Sequence, residues 1–259
     1  IGGKYNLILA GLSPRFSRFY SPSRLRLLAP WSLTPARTSY TSKLNMPVIA
    51  VDFDEVLAPF VPALANFHNR VYNTTLSVND FWSYNFWQVW GGTREETDLK
   101  MRDFFESEEF ASIEPLDGAI KAVHFLARIK RVDLVVVTSR QEFLREKTLA
   151  FISTYFGNSF KDVLFGNHYL AKGEEHAYVQ RSKPQMCQDA GAVILIDDSA
   201  SYIEQVTEKG INGILFGQYN WNGKGWTDEY EQSCNQNGAK MLRATTWSKA
   251  VNAISAILE

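Results

Sequence analysis

The sequence predicts an α/β protein, a parallel sheet flanked by helices with a small helical cap inserted after the first strand. Three observations predict it. Short apolar runs, Pro47-Val48-Ile49-Ala50-Val51, Val132-Asp133-Leu134-Val135-Val136-Val137 and Gly191-Ala192-Val193-Ile194-Leu195-Ile196, read as strands buried on both faces. Segments with helical spacing separate the later runs, and that alternation means parallel pairing. Each run also ends in a polar cluster, and ligands of such sheets sit at the carboxyl ends of the strands.

In chain order, the first strand ends at Asp52-Phe53-Asp54. Residues 57–114 have no place in the alternation, read as mostly helical, and form the predicted cap. The turn Pro115-Leu116-Asp117-Gly118 opens a helix over 119–129, and the second strand ends at Thr138-Ser139-Arg140. A helix over 142–156 stops at Gly157, a strand follows over 161–165, and the run 191–196 ends at Asp197-Asp198-Ser199. A helix over 201–209 ending at Gly210 and a strand over 211–216 complete the series. The Gly-, Asn- and aromatic-rich stretch 218–226 after it reads as a surface loop, with the alternative that it flanks the site because it follows the last strand. The predicted core is therefore 46–56 with 115–259, the cap is 57–114, and residues 1–45 stay outside the fold.

Composition limits the partners. The 259 residues carry 27 Lys and Arg against 28 Asp and Glu, with 45% hydrophobic residues, as in an ordinary globular protein. The basic residues are concentrated at the start. Lys4, Arg15, Arg18, Arg24, Arg26, Arg37 and Lys43 face no acidic residue before Met46, which leaves the body acidic. An acidic body argues against a nucleic-acid polymer as partner, and no apolar stretch reaches the roughly 18–20 residues that span a bilayer. Cys187 and Cys234 stand in no metal-ligand spacing, and neither do His68, His124, His168 and His176. The Arg- and Ser-rich leader has the composition of a transit peptide. It reads equally as a disordered extension, or as sequence ahead of a start at Met46. The expected compartment is the cytoplasm, or the mitochondrion if the leader is a transit peptide.

The polar clusters carry the chemistry. Asp52, Asp54, Asp197 and Asp198 at the ends of two strands would repel one another strongly without a cation, and an all-oxygen set is what Mg²⁺ selects. Thr138 offers a hydroxyl beside backbone N–H groups, a ready anion site, and Lys183 supplies positive charge. A carboxylate nucleophile, a second carboxyl as acid and base, a metal, a hydroxyl and an ammonium are what transfer of a phosphoryl group to water through an aspartyl-phosphate requires.

These residues, in the order Val48-Ile49-Ala50-Val51-Asp52-Phe53-Asp54, Val135-Val136-Val137-Thr138-Ser139, Lys183 and Ile194-Leu195-Ile196-Asp197-Asp198, resemble the four ordered motifs of the haloacid dehalogenase-like (HAD) hydrolase superfamily. Phe104-Phe105-Glu106-Ser107, Ile113-Glu114-Pro115-Leu116-Asp117-Gly118-Ala119 and Tyr155-Phe156-Gly157 further resemble the 5′(3′)-deoxyribonucleotidase family. The resemblance implies a Rossmann-like core in which Asp52 attacks phosphorus and Asp54 serves as acid and then base. It also implies that Asp52, Asp198 and the carbonyl of Asp54 hold Mg²⁺ with support from Asp197, and that Thr138, Ser139 and Lys183 hold the phosphate. Glu55 stands where the family usually has Gly, and Ser199 where its nucleotidases often have Arg.

The expected substrate is a small phosphorylated metabolite, a nucleoside monophosphate above all, because six of the ten residues 81–90 are aromatic and rings stack on bases. Phe81 and Trp82 fall where the family has an aromatic pair, and Arg140 suits a second phosphate contact. A sugar phosphate, or a phosphate-binding protein without catalysis, are the alternatives, and the reading allows a homodimer.

Overall fold

The computed structural model describes residues 46–129, 131–169, 178–223 and 238–259. The leader, His176, Cys234 and residues 224–226 of the loop after the last expected strand lie outside them. Six strands, β1 (Val48–Val51), β2 (Asp133–Thr138), β3 (Phe160–Phe165), β4 (Ala192–Asp197), β5 (Asn212–Phe216) and β6 (Met241–Ala244), form one sheet in the order β3-β2-β1-β4-β5-β6. Every neighbouring pair is parallel. The order reverses at β1, so Asp52 and Asp197 leave adjacent strands at the switch point, where the crevice of such sheets opens.

Both sheet faces are buried, which is why the strands read as continuous apolar runs. Ile49, Val51, Leu134, Val136, Ile194, Ile196 and Ile214 share one cluster, and Ala50, Val135, Val137, Leu195 and Leu215 share another. The first face packs against α5 (Ala119–Ile129), α6 (Arg145–Phe156) and α9 (Trp247–Leu258), and the second against α7 (Lys183–Asp189) and α8 (Ala200–Thr207). The fit of α8 on β5 depends on Gly213, since a Cβ there would lie 2.4 Å from Cγ2 of Ile203.

The segment between β1 and α5 is helical, as expected, in four pieces: α1 (Phe60–Tyr72), α2 (Trp87–Trp90), α3 (Arg94–Phe105) and α4 (Glu108–Ala111). In α1 the stripe Phe60, Val61, Leu64, Ala65, Phe67 and His68 is buried, and Asn73 ends the helix at φ 53°. Within this mostly helical segment the stretch 94–111 divides at Glu106. Ser107 is the reason, because its hydroxyl accepts from the Phe110 N–H and starts α4. Thr93 and Glu96 close the start of α3 by exchanging side-chain bonds to each other's backbone N–H. Phe60, Phe104 and Phe110 pack edge to face and belong to the same cluster as the first sheet face.

His68 is buried in this insertion, stacked on Trp90 at 4.7 Å. Its Nδ1 lies 2.8 Å from Oγ1 of Thr74 and its Nε2 lies 3.2 Å from Nζ of Lys100. An ammonium can only donate, so Nε2 accepts and the ring is neutral. Burial, with Lys100 beside it, pushes its pKa down to about 4. The unfolded chain takes up a proton on this ring near pH 6.5 and the folded chain does not, so stability falls as pH drops from about 6.5 toward 4. His68→Gln removes this contribution and flattens that part of a melting-temperature profile relative to the unchanged chain.

Candidate active site

The ladder between β1 and β4 continues one step past β1, with Asp52 N–H donating to the Ile196 carbonyl at 2.9 Å, and this aligns the strand-end carboxylates. Asp52 Oδ1 accepts from the Phe53 N–H at 2.7 Å and lies 2.7 Å from Nζ of Lys183. The same ammonium is 2.6 Å from Oδ2 of Asp197, whose Oδ1 accepts from the Ser199 N–H. Lys183 is the first residue of α7, which is capped by the Ser182 hydroxyl. Asp198 turns the other way, and its Oδ2 accepts from the Tyr84 hydroxyl at 2.7 Å and from Nε1 of Trp221 at 2.6 Å.

One oxygen from each of Asp52, Asp197 and Asp198 lies within 4.8 Å of the others, and all three residues are buried. Burial pushes their pKa values up, to about 8 for Asp52, about 6 for Asp197 and about 7 for Asp198, with repulsion among the carboxylates adding to it. Burial opposes the charge on Lys183 too, but the facing Asp197 and Asp52 outweigh it and hold the ammonium protonated above its usual range. When all three carboxylates ionise they outnumber the one ammonium, and their raised pKa values register the cost of that excess charge in a dry site. An oxygen-only donor set of that charge fits a hard divalent cation.

Asp54 departs from this group. Its carboxylate is gripped by Arg140, with Nη2 2.7 Å from Oδ1 and Nε 3.0 Å from Oδ2. Arg140 is 6% exposed, donates to Thr148 and lies over the Phe53 ring at 4.1 Å. The arginine considered as a phosphate contact thus partners the candidate acid. Thr138 is fully buried, and its hydroxyl accepts from the Arg140 N–H. Ser139 lines the cavity, its hydroxyl donating toward Tyr202.

Glu55 takes the left-handed conformation, at φ 60°. Its buried carboxyl accepts from the Val61 N–H at 2.5 Å and so serves the first turn of α1, and burial raises its pKa well above the usual range. It does not line the cavity, whereas Ser199 does.

The cavity of about 520 Å³ runs from Asp52, Asp54 and Asp198 to an aromatic wall of Tyr84, Phe86 and Trp87. Neither member of the expected aromatic pair lines it. Phe81 is 0% exposed, edge to face with Phe86 and Trp90 in the core of the insertion, and Trp82 is 54% exposed outside the cavity. The cavity draws Tyr84, Phe86 and Trp87 from the same ten residues, but short irregular segments give no period from which to read which rings face inward.

Several residues at the site escaped the sequence reading. Tyr84 and Trp221 hold Asp198, and the buried Asn222 donates to the Asp198 and Phe216 carbonyls. The 218–226 stretch, read as a surface loop with flanking the site as the alternative, flanks it through Trp221 and Asn222. Tyr202, in the first turn of α8, sits over Lys183 and lies 2.9 Å from Nδ1 of His168. The other ring nitrogen of His168 faces the Arg181 carbonyl at 2.7 Å and must donate to it, so Nδ1 accepts from Tyr202.

Lys183→Met leaves Asp52 and Asp197 without their cation in a buried site. The expected loss is about 3–5 kcal/mol near neutral pH, read by urea unfolding of metal-free protein, and it shrinks in acid as the carboxylates protonate.

The family described as 5′ nucleotidase, deoxy (Pyrimidine), cytosolic type C protein matches residues 46–257. Comparison with curated proteins gives no match. Among solved structures, a conserved haloacid dehalogenase-like protein of unknown function from Agrobacterium tumefaciens is 13% identical with a TM-score of 0.55, covering 83% of this chain and 100% of that one. A HAD family hydrolase from Deinococcus radiodurans, solved with bound phosphate and sodium, is 12% identical with a TM-score of 0.54, covering 82% and 96%. A Bacillus subtilis protein described as a HAD-hydrolase, bound to magnesium, is 13% identical with a TM-score of 0.50, covering 81% and 99%. The structural likenesses carry the fold, the family match spans the sheet, the insertion and the carboxylate cluster, and the chain belongs to this nucleotidase family of HAD-like hydrolases, as a phosphatase of phosphoric monoesters.

Proposed function

We propose that the chain is a Mg²⁺-dependent phosphomonoesterase for nucleoside monophosphates, working through a phosphoryl group carried on Asp52. The observation that carries the reading is the cavity, which joins the carboxylate cluster to a wall of three aromatic side chains within a volume suited to a nucleotide-sized ligand. The family match and the magnesium and phosphate in two structural neighbours support it.

Asp52 and Asp198, with the Asp54 carbonyl and support from Asp197, would hold Mg²⁺, which would supply positive charge to offset the phosphoryl oxygens beside the carboxylates. Phe53 N–H and Lys183 both engage Oδ1 of Asp52, which leaves Oδ2 to attack phosphorus; for Asp52 to hold the ion as well, Oδ1 must exchange one of these two donors for it. As its bond to phosphorus forms, the ester P–O bond breaks, and Asp54 gives a proton to the leaving alkoxide. In the second step Asp54 takes a proton from water, the water oxygen bonds to phosphorus, and the acyl phosphate P–O bond breaks to return Asp52. Both Asp54 oxygens face Arg140, so carrying a proton requires the carboxyl to give up the Nε contact to Oδ2, while the Nη2 contact to Oδ1 keeps it in place. Lys183 and the Ser139 loop offset the phosphoryl charge.

Asp52→Asn is expected to abolish phosphate release with the melting temperature preserved, and substantial turnover in that variant rules out the covalent step. Trp87→Ala is expected to raise KM for nucleoside monophosphates about tenfold, the equivalent of one stacking contact, and to leave an acyclic alkyl phosphate unaffected. Turnover of sugar phosphates alone in a substrate panel would retain the chemistry and reject the nucleotide.

A further inference from the structure

Asp198 is held by two side-chain donors that lie outside the four motifs. The Tyr84 hydroxyl and the Trp221 indole N–H both donate to its Oδ2, at 2.7 and 2.6 Å, and Asn222 fixes its carbonyl at 2.8 Å. Neither donor is free to swing away. Trp221 is stacked on Tyr219 with centroids 4.4 Å apart and planes 9° apart, and Tyr84 meets Trp221 and Phe86 edge to face. Tyr219 donates to the Glu55 carbonyl at 3.3 Å, and Asn220 donates to the Asn79 carbonyl at 2.5 Å. The 219–222 segment therefore clasps the loop after β1, the insertion and Asp198 together.

Two donors fill both lone pairs of one carboxylate oxygen, which leaves Oδ1 as the oxygen for a cation. That distinction matters chemically. Mg²⁺ takes carboxylates through single oxygens in a near-ideal octahedron at 2.0–2.1 Å, whereas the larger Ca²⁺ takes six to eight oxygens and accepts bidentate carboxylates. Groups that orient a metal ligand are worth roughly 10–100-fold in metal affinity.

We propose that Tyr84 and Trp221 are positioning residues that hold Asp198 to one-oxygen ligation and thereby make the site selective for Mg²⁺ over Ca²⁺. This rests on the reading that the carboxylate cluster binds Mg²⁺.

The test is calorimetric titration of the metal-free full-length chain with MgCl₂ and, separately, CaCl₂, without substrate, for the unchanged protein, Tyr84→Phe, Trp221→Phe and the double variant. Each single change should weaken Mg²⁺ binding about tenfold and contract the Mg²⁺/Ca²⁺ affinity ratio by a similar factor, with the double variant falling short of the product. Urea unfolding of the metal-free proteins separates a damaged fold from lost positioning. If Trp221→Phe fails to fold, Tyr84→Phe, which removes a single hydroxyl and keeps the ring, decides alone. Mg²⁺ binding with an unchanged ratio, or equal weakening of both ions, overturns the clasp and leaves the metal site standing. Failure of the unchanged protein to bind either ion overturns the metal site and the clasp with it.

Discussion

Lys183 is fully buried, with its ammonium 2.7 Å from Asp52 and 2.6 Å from Asp197, and the site could not exist without it. Buried carboxylates on neighbouring parallel strands would otherwise protonate or force the strand ends apart. The sheet order makes the contact possible. β1 and β4 are adjacent, and α7, which presents Lys183, packs on the face of β4 opposite the insertion. The one cation leaves the cluster under-neutralised, and this remaining charge, more than any single ligand distance, argues for a divalent ion there.

The second constraint is that the insertion and the sheet are not separable layers. The insertion's phenylalanines share one hydrophobic cluster with the first sheet face. The polar ties point the same way: Glu55, next to the candidate acid, holds the first turn of α1, and Tyr84 reaches from the insertion to Asp198. A glutamate in a left-handed conformation carries strain that a glycine would avoid, and here the bond to α1 offsets it. This gives Glu55 a structural role.

Much of the fold was legible because buried parallel strands and their capped helices write their period directly into the sequence. β1 to β5 lie within a residue or two of where the apolar runs put them. β6 and α9 were missed: Met241-Leu242-Arg243-Ala244 is short, an edge strand that needs only one neighbour, and carries a charge. At the site, the meeting of Asp52, Asp197 and Asp198 was legible because strand ends in a parallel sheet converge. What was not legible depends on tertiary direction. The Arg140 grip on Asp54, the Tyr202–His168 pair and the roles of Tyr84 and Trp221 join segments whose separation in sequence carries no signal. Phe81 and Phe86 show the same limit, since two rings five residues apart divide between the core and the cavity wall.

The central place of β1 also governs the order in which the protein can assemble. The strand that leads into Asp52 is the first of the sheet's strands in chain order, yet its two neighbours, Asp133–Thr138 and Ala192–Asp197, come much later in the chain. Pairing it requires the closure of two long loops, the slow kind of contact in folding, and until then both of its apolar edges lack a partner. The helices between β1 and α5 touch one another at short range and do not have to wait. A nascent chain can thus gather the wall of its pocket well before it owns the reactive centre, and no fragment ending before Asp198 contains the full set of carboxylates.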